Sequence, residues 1–265
     1  MDLEKAIECV RACGTDFEKA RLSHTLGEKF DSKEVLDGFS AVQNPDGGFP
    51  YADRKGFPSC LSNTAMALHT LMEMGLGNSE PAARGFEYLL KMRQENGTWE
   101  ENPKIKPLDP QFWDMPGDYL TTIWLTADIA DILLRAGRNV PSETYDFLRK
   151  LQEASGRFKG YYHTTWIALS LFGKNGNYDK KVFSGALAYL ETVDIADWDA
   201  SCIAWCLDCM NHGNVNEKSI LRARLMDMLS DSQEPEGCWP SEGGETMKIR
   251  DANSVLAAVM DIMQK

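Results

Sequence analysis

What the chain lacks narrows its class before any motif is read. No apolar run approaches the roughly 18 residues of a membrane-spanning helix. The opening MDLEKAIECV is charged and amphipathic, with no basic stretch leading into an apolar core. No signal peptide is visible, and the expected compartment is the cytoplasm. Basic residues are in short supply: 28 Lys and Arg stand against 40 Asp and Glu, a net charge of −12. Phosphate contact needs a basic face, so nucleic-acid binding is excluded as a main task, and electrostatic docking on an anionic membrane is disfavoured. No segment sustains period-2 alternation, so no sheet of consequence is expected. Histidine numbers only four, and His24, His69 and His212 have no second metal ligand at useful spacing.

What is present points to a soluble globular chain. Hydrophobic residues make up 43% and charged residues 26% of 265, enough for a sizeable core. A single domain spanning 1–265 is the expectation. The seven cysteines are odd in number and fall mostly in helical patterns. They read as reduced thiols packed as small apolar residues, including Cys202, Cys206 and Cys209 on one helix face.

Internal repetition is the strongest signal. QNPDGGF from Gln43, QEASGRF from Gln152 and QEPEGCW from Gln233 place Gly four residues and an aromatic six residues after the glutamine. QENGTW from Gln94 is one residue shorter, and ETVDIADW from Glu191 looks like an eroded copy. The interval of about 40 to 60 residues suits one helix pair per repeat. Each loop precedes an apolar, small-residue segment with Thr, Ser or Asn near its start: 62–75, 120–137, 163–173, 199–213 and 251–263. Helices apolar all round are buried ones, and most of these end at a glycine suited to a left-handed cap. The alternating segments carry one apolar stripe, and several open on Ser or Asn before Pro or Glu, which is capping chemistry. With two or three helices before Gln43, the fold class is all-α: an α/α toroid, or α6-α6 barrel, of about twelve alternating inner and outer helices. The loop glutamines are positioned to bond neighbouring helix ends.

The Q-x-x-D-G-G-F frame before a Thr-bearing apolar helix resembles the prenyltransferase and squalene-oxidase repeat. That repeat occurs in squalene–hopene and oxidosqualene cyclases and in protein prenyltransferase β subunits. The resemblance spans about residues 40 to 265. NPKIKPLDPQFWDMPGDYLTTIWLTA and GRFKGYYHTTWIAL resemble small, single-toroid members most. Cyclases that begin by protonating an alkene carry Asp-x-Asp-Asp-Thr-Ala, whose middle Asp is the acid. Laid on DWDASC, Asp197 takes the first position, Asp199 the acid and Ser201 the Thr. Ala200 replaces the supporting Asp, and Cys202 the final Ala. The resemblance therefore implies Asp199 as proton donor, with Asp197 and His163 beside it. The prenyltransferase branch holds zinc through an Asp, a Cys two residues on and a later His. Here Asp199 and Cys202 are three apart and His163 comes first, so no metal ligand is assigned and zinc is the weakest expectation.

Aligned at the Thr/Ser/Asn position, Ser62, Leu120, His163, Asp199 and Asp251 lie at inner-helix starts facing one end of the ring. An Asp there is ordinarily an N-cap, and a capped carboxyl is made more acidic, which opposes service as a proton donor. The functional reading places Asp199 in a dry apolar site, where aromatic faces stabilise a carbocation by about 0.5–2 kcal/mol per ring. Candidate rings are Trp124, Trp166, Trp198, Trp205, Tyr161 and Tyr162, with Cys202 and Asp251 completing the expected substrate wall. Two functions follow: a terpene-cyclase-like enzyme acting on a hydrophobic isoprenoid-like small molecule, or a non-catalytic holder of a lipid or partner protein. The room inside the ring discriminates them. No protein partner is specified by the sequence.

Overall fold

The computed structural model describes residues 1–173 and 179–263, and among these twelve α-helices form two concentric rings. The outer ring is α1 (Leu3–Cys13), α3 (Ser32–Val42), α5 (Glu80–Met92), α7 (Ser142–Arg149), α9 (Lys180–Thr192) and α11 (Ile220–Ser232). The inner ring is α2 (Asp16–Thr25), α4 (Leu61–Glu73), α6 (Tyr119–Arg135), α8 (His163–Gly173), α10 (Ala200–His212) and α12 (Glu245–Met263). Inner helices pack side by side from α4 through α12 and on to α2. The Arg21–Glu73 ion pair, 2.9 Å, joins α2 to α4 and closes the circle. Every residue of α8 from Thr164 to Phe172 is buried, as its all-round apolar sequence requires, whereas α5 buries only the stripe containing Ala82, Phe86 and Leu89. The only sheet among the described residues is a two-residue antiparallel pair, Phe49–Pro50 with Ser59–Cys60.

The repeat loops act as clamps. Gln43 Nε2 donates to the Gly47 carbonyl of its own loop and to Pro81 in the first turn of α5. Gln152 does the same with Gly156 and Val182 of α9, and Gln233 with Gly237 and Asp2, the cap of α1. The last clamp fastens the end of the chain to its beginning. The glycine is demanded by approach as well as conformation. Gly156 has φ +95° and lies so close to Gly185 of α9 that an added Cβ would meet its carbonyl oxygen at 2.0 Å. The aromatic that follows donates its backbone N–H to an inner-helix threonine: Phe49 to Thr64, Trp99 to Thr126 and Phe158 to Thr165. In the short copy the turn is retained, but Gln94 stands where Asn44 stands, so its side chain reaches only Met92.

Four expectations need correction. α12 starts at Glu245, six residues before the apolar pattern, so Asp251 lies inside the helix instead of at its end. Ser79 makes no side-chain cap bond on α5, and α11 begins at Ile220 behind Ser219, so Asn216 is not its cap. Gly213 ends α10 at φ −77°, with Asn214 taking the left-handed turn; its missing side chain instead lets α10 approach the Leu169 carbonyl of α8. Finally, the cysteines are not all thiols. Cys9 of α1 and Cys238 of the last loop form a disulfide across 229 positions, Cα atoms 6.3 Å apart. Only ring closure brings them together, so no spacing rule exposes the pair.

Gly156→Ala is expected to cost about 2–4 kcal/mol in urea unfolding, because strain and a backbone clash combine. Gly137→Ala, also at positive φ (+67°) but with nothing near the added Cβ, should cost only about 1 kcal/mol. Equal losses would show that close approach is not what fixes the loop glycine. Cys9→Ser should lower stability by about 2–5 kcal/mol in the same assay, and an unchanged midpoint would contradict a bridge that closes the ring.

Candidate functional site

The inner helices enclose a cavity of about 560 Å³, inside the roughly 300–1,000 Å³ range of small-molecule sites. The ring is therefore not plugged by its own side chains. The Trp99–Thr126 bond corrects the alignment of α6: the position two before the clamping threonine is Trp124, not Leu120. With that change Ser62, Trp124, His163 and Asp251 all line the cavity, from four of the six staves of the ring.

His163 is the hub of an aromatic cluster. Its ring stacks on Trp205 at 5.0 Å and meets Trp124 edge-on at 5.4 Å, with Tyr161, Tyr162 and Trp166 within 6.1 Å. Trp198 packs on Trp166 at 4.8 Å and stacks on Tyr162. The six rings singled out from the sequence thus gather in one place. Trp124 and Trp205 face the cavity, and Trp166 is fully buried behind them. Burial holds His163 down to about pKa 4, with the Asp128 charge opposing weakly, and its Nε2 is shut off from solvent with no partner. The imidazole is a neutral aromatic wall. The Cys202 thiol faces the Tyr162 hydroxyl at 3.2 Å and is pushed up to about 12 by burial.

Asp199 is the N-cap of α10. Its Oδ1 accepts from the Cys202 backbone N–H at 2.8 Å and from the Ser201 hydroxyl at 2.9 Å, and it is Ser201, not Asp199, that borders the cavity. Asp197 is exposed. Among the described residues no three His, Cys, Asp or Glu side chains converge as a metal site.

The far end of the cavity is ion-paired. Asp128 Oδ1 accepts from the His69 Nε2–H at 2.9 Å. Arg135 bridges buried Asp131 at 2.7 Å and Asp208 at 2.6 Å, and Arg21 holds Glu73. These partners keep charge inside the ring at bearable cost.

A second acidic group gathers at the start of α4, and the sequence reading missed it. Buried Glu101 accepts from the backbone N–H groups of Leu61 and Ser62, capping the helix from another loop, and from Asn102. Burial outweighs those bonds and raises it to about 7. Asp114, from the 3-10 turn Phe112–Asp114, is 7% exposed on the cavity wall beside Ser62. Burial raises its pKa, with the Ser62 and Trp113 side chains opposing through hydrogen bonds. The available signal was CLSNTA, residues 60–65. It fits the Asp-x-Asp-Asp-Thr-Ala frame with Thr64 and Ala65 intact, but Cys60, Ser62 and Asn63 replace every carboxylate.

The closed α/α toroid is shared with known proteins. Residues 27–119, which contain the 60–65 frame and not 197–202, match the squalene–hopene cyclase C-terminal domain family. Squalene–hopene cyclase from Bradyrhizobium diazoefficiens is 37% identical over 78 residues, 26% of this chain and 12% of that protein. Its Zymomonas mobilis counterpart is 23% identical over 277 residues, 86% and 42% respectively. The chain therefore spans less than half the length of these curated relatives. A variant of the type II terpene cyclase MstE from Scytonema, solved with its substrate geranylgeranyl dihydroxybenzoate, superposes with a TM-score of 0.66 at 16% identity, over 99% of this chain and 97% of that one. These matches support the resemblance carried by the repeat loops: residues 27–119 are similar to the squalene–hopene cyclase family model, and the chain as a whole shares its single-toroid fold with type II terpene cyclases. No helix among the described residues is long and apolar enough to cross a membrane.

Two measurements check the electrostatics. The His163 imidazole should titrate below pH 5 by NMR, and a midpoint above 6 would contradict its burial. Glu101 is raised in the folded state, so between about pH 4.5 and 7 the native chain holds the proton more tightly than the unfolded one. Stability should fall as pH rises through that window, by on the order of 3 kcal/mol at most. Unfolding of Glu101→Gln at pH 5 and pH 8 should lack that component.

Proposed function

We propose that the chain binds a hydrophobic, isoprenoid-like molecule in its central cavity and acts as a terpene-cyclase-like enzyme, starting cyclisation by protonating an alkene. One observation carries the reading: Trp113, Trp124, Trp205 and neutral His163 face the same cavity as two carboxyls, Asp114 and Asp251, that burial pushes toward the protonated form. Adding a proton to an alkene needs an acid in a site that excludes water, and the cation that results needs π faces and no competing base. The isoprenoid substrate held by MstE in the same fold supports the substrate class. This chemistry calls for no metal. Zinc-dependent prenyl transfer would instead need Asp199, Cys202 and His163 to converge on one ion.

One observation favours the non-catalytic alternative, in which the cavity simply holds a lipid. The 60–65 frame carries no carboxylate of its own. Incubation with farnesyl diphosphate, geranylgeranyl diphosphate and squalene separates the two readings. The enzyme reading expects a cyclic isomer of unchanged mass from at least one of them. Saturable quenching of tryptophan fluorescence with no product would leave the holder standing. Asp199→Asn tests the role that the DWDASC resemblance gives Asp199. As a cap, its replacement should cost about 1 kcal/mol or less of stability and leave turnover within a few-fold, whereas a donor's replacement would abolish turnover.

A further inference from the structure

We infer that Asp114 is the proton donor, delivered by the Phe112–Asp114 turn to the place beside Ser62 where the Asp-x-Asp-Asp-Thr-Ala frame puts its acid. The inference rests on the protonation reading above and names the group that performs it. Ser62 keeps the backbone position but is too short to present a carboxyl. The Asp114 carboxyl lies within hydrogen-bonding reach of the Ser62 hydroxyl, on the same cavity wall, and so supplies from a neighbouring loop what the helix lacks.

Elimination among the acids leads to the same residue. Glu101 is tied down by three backbone N–H groups and does not border the cavity. Asp128 is held by His69, and Asp131 and Asp208 by Arg135. Asp199 caps a helix through the Cys202 N–H. Asp251 is likewise raised by burial and by the Asp199 charge, but a Ser241 hydrogen bond and the charges of Arg250 and Arg21 favour its anion. Asp114 has no cation among the groups that act on it, and its Oδ1 is shut off from solvent with no hydrogen-bond partner. A carboxylate left in that position would be a buried charge with no cation to match it and only the Ser62 and Trp113 side chains to oppose burial, while a carboxylic acid is tolerated. Trp113, its chain neighbour, lines the cavity too, and its backbone carbonyl anchors the Trp124 indole at 2.7 Å, so the acid and two π faces are fixed as one unit.

The chemistry balances without oxidant or reductant. The Asp114 proton goes to a terminal alkene carbon, and the alkene's π pair forms the new C–H bond. A tertiary cation is left next to it and a carboxylate on Asp114. The π pairs of further alkenes close rings in turn, the final cation loses a proton to water, and solvent returns a proton to Asp114. Substrate and product are isomers.

The test uses the full-length protein with the probe from the same three isoprenoids that the wild type converts. Asp114→Asn should lower kcat about 10³-fold with KM within about three-fold. Ser62→Asp placed in the Asp114→Asn background should restore at least a tenth of the lost turnover, which no purely structural role for Asp114 explains. Circular dichroism checks that each variant folds. Independently of substrate, carboxyl NMR of aspartate-labelled protein should show a resonance, absent from Asp114→Asn, that titrates above the ordinary aspartate range. Wild-type turnover by Asp114→Asn, or an Asp114 resonance that titrates in the ordinary aspartate range, overturns the inference and leaves the cyclase reading intact. Failure of the wild type to convert any probe overturns both.

Discussion

The glutamine clamp is the interaction on which the rest of the molecule depends. One Nε2 group bonds the carbonyl of its own turn and a carbonyl at the cap or in the first turn of the next outer helix, as Gln43, Gln152 and Gln233 each show. A helix pair cannot bury its inner face alone, so each pair needs its neighbour at a fixed distance and angle. The clamp sets that geometry, and the adjoining glycine lets the backbones touch. Because the last clamp grips Asp2, the array closes instead of continuing as a solenoid, and closure is what creates an interior.

That interior is divided by how its charges are handled. At the carboxyl ends of the inner helices, acids are matched with Arg135, Arg21 and His69 and so stay inside as ion pairs. Toward the amino ends, around His163 and Ser62, matching cations are absent from Asp114 and burial acts unopposed by charge. The same desolvation makes His163 neutral and Asp114 reluctant to ionise. One physical effect thus yields a non-basic aromatic wall and an acid facing it, which is the pairing that carbocation chemistry requires.

The two places where the acid motif can be laid illustrate how local pattern and position differ. DWDASC preserves carboxylates but puts Asp199 in a helix cap, where backbone donors occupy it. CLSNTA preserves the Thr that clamps Phe49 and the small residue after it, and loses the carboxylates. The structural half of the motif survives at 60–65 because the fold needs Thr64.

Sequence alone determined the all-α class, the alternation of inner and outer helices, the clamp loops and the set of rings that cluster near His163. Each of these is periodic and local: a helix buried on all sides, or a turn repeated four times, is written in consecutive residues. Only the tertiary structure decided the Cys9–Cys238 bond, the start of α12 at Glu245, Trp124 in place of Leu120, and the meeting of Asp114 with Ser62. Those are contacts between residues far apart in the chain, and their energies depend on burial and on which charges lie near, quantities that exist only once the ring has closed.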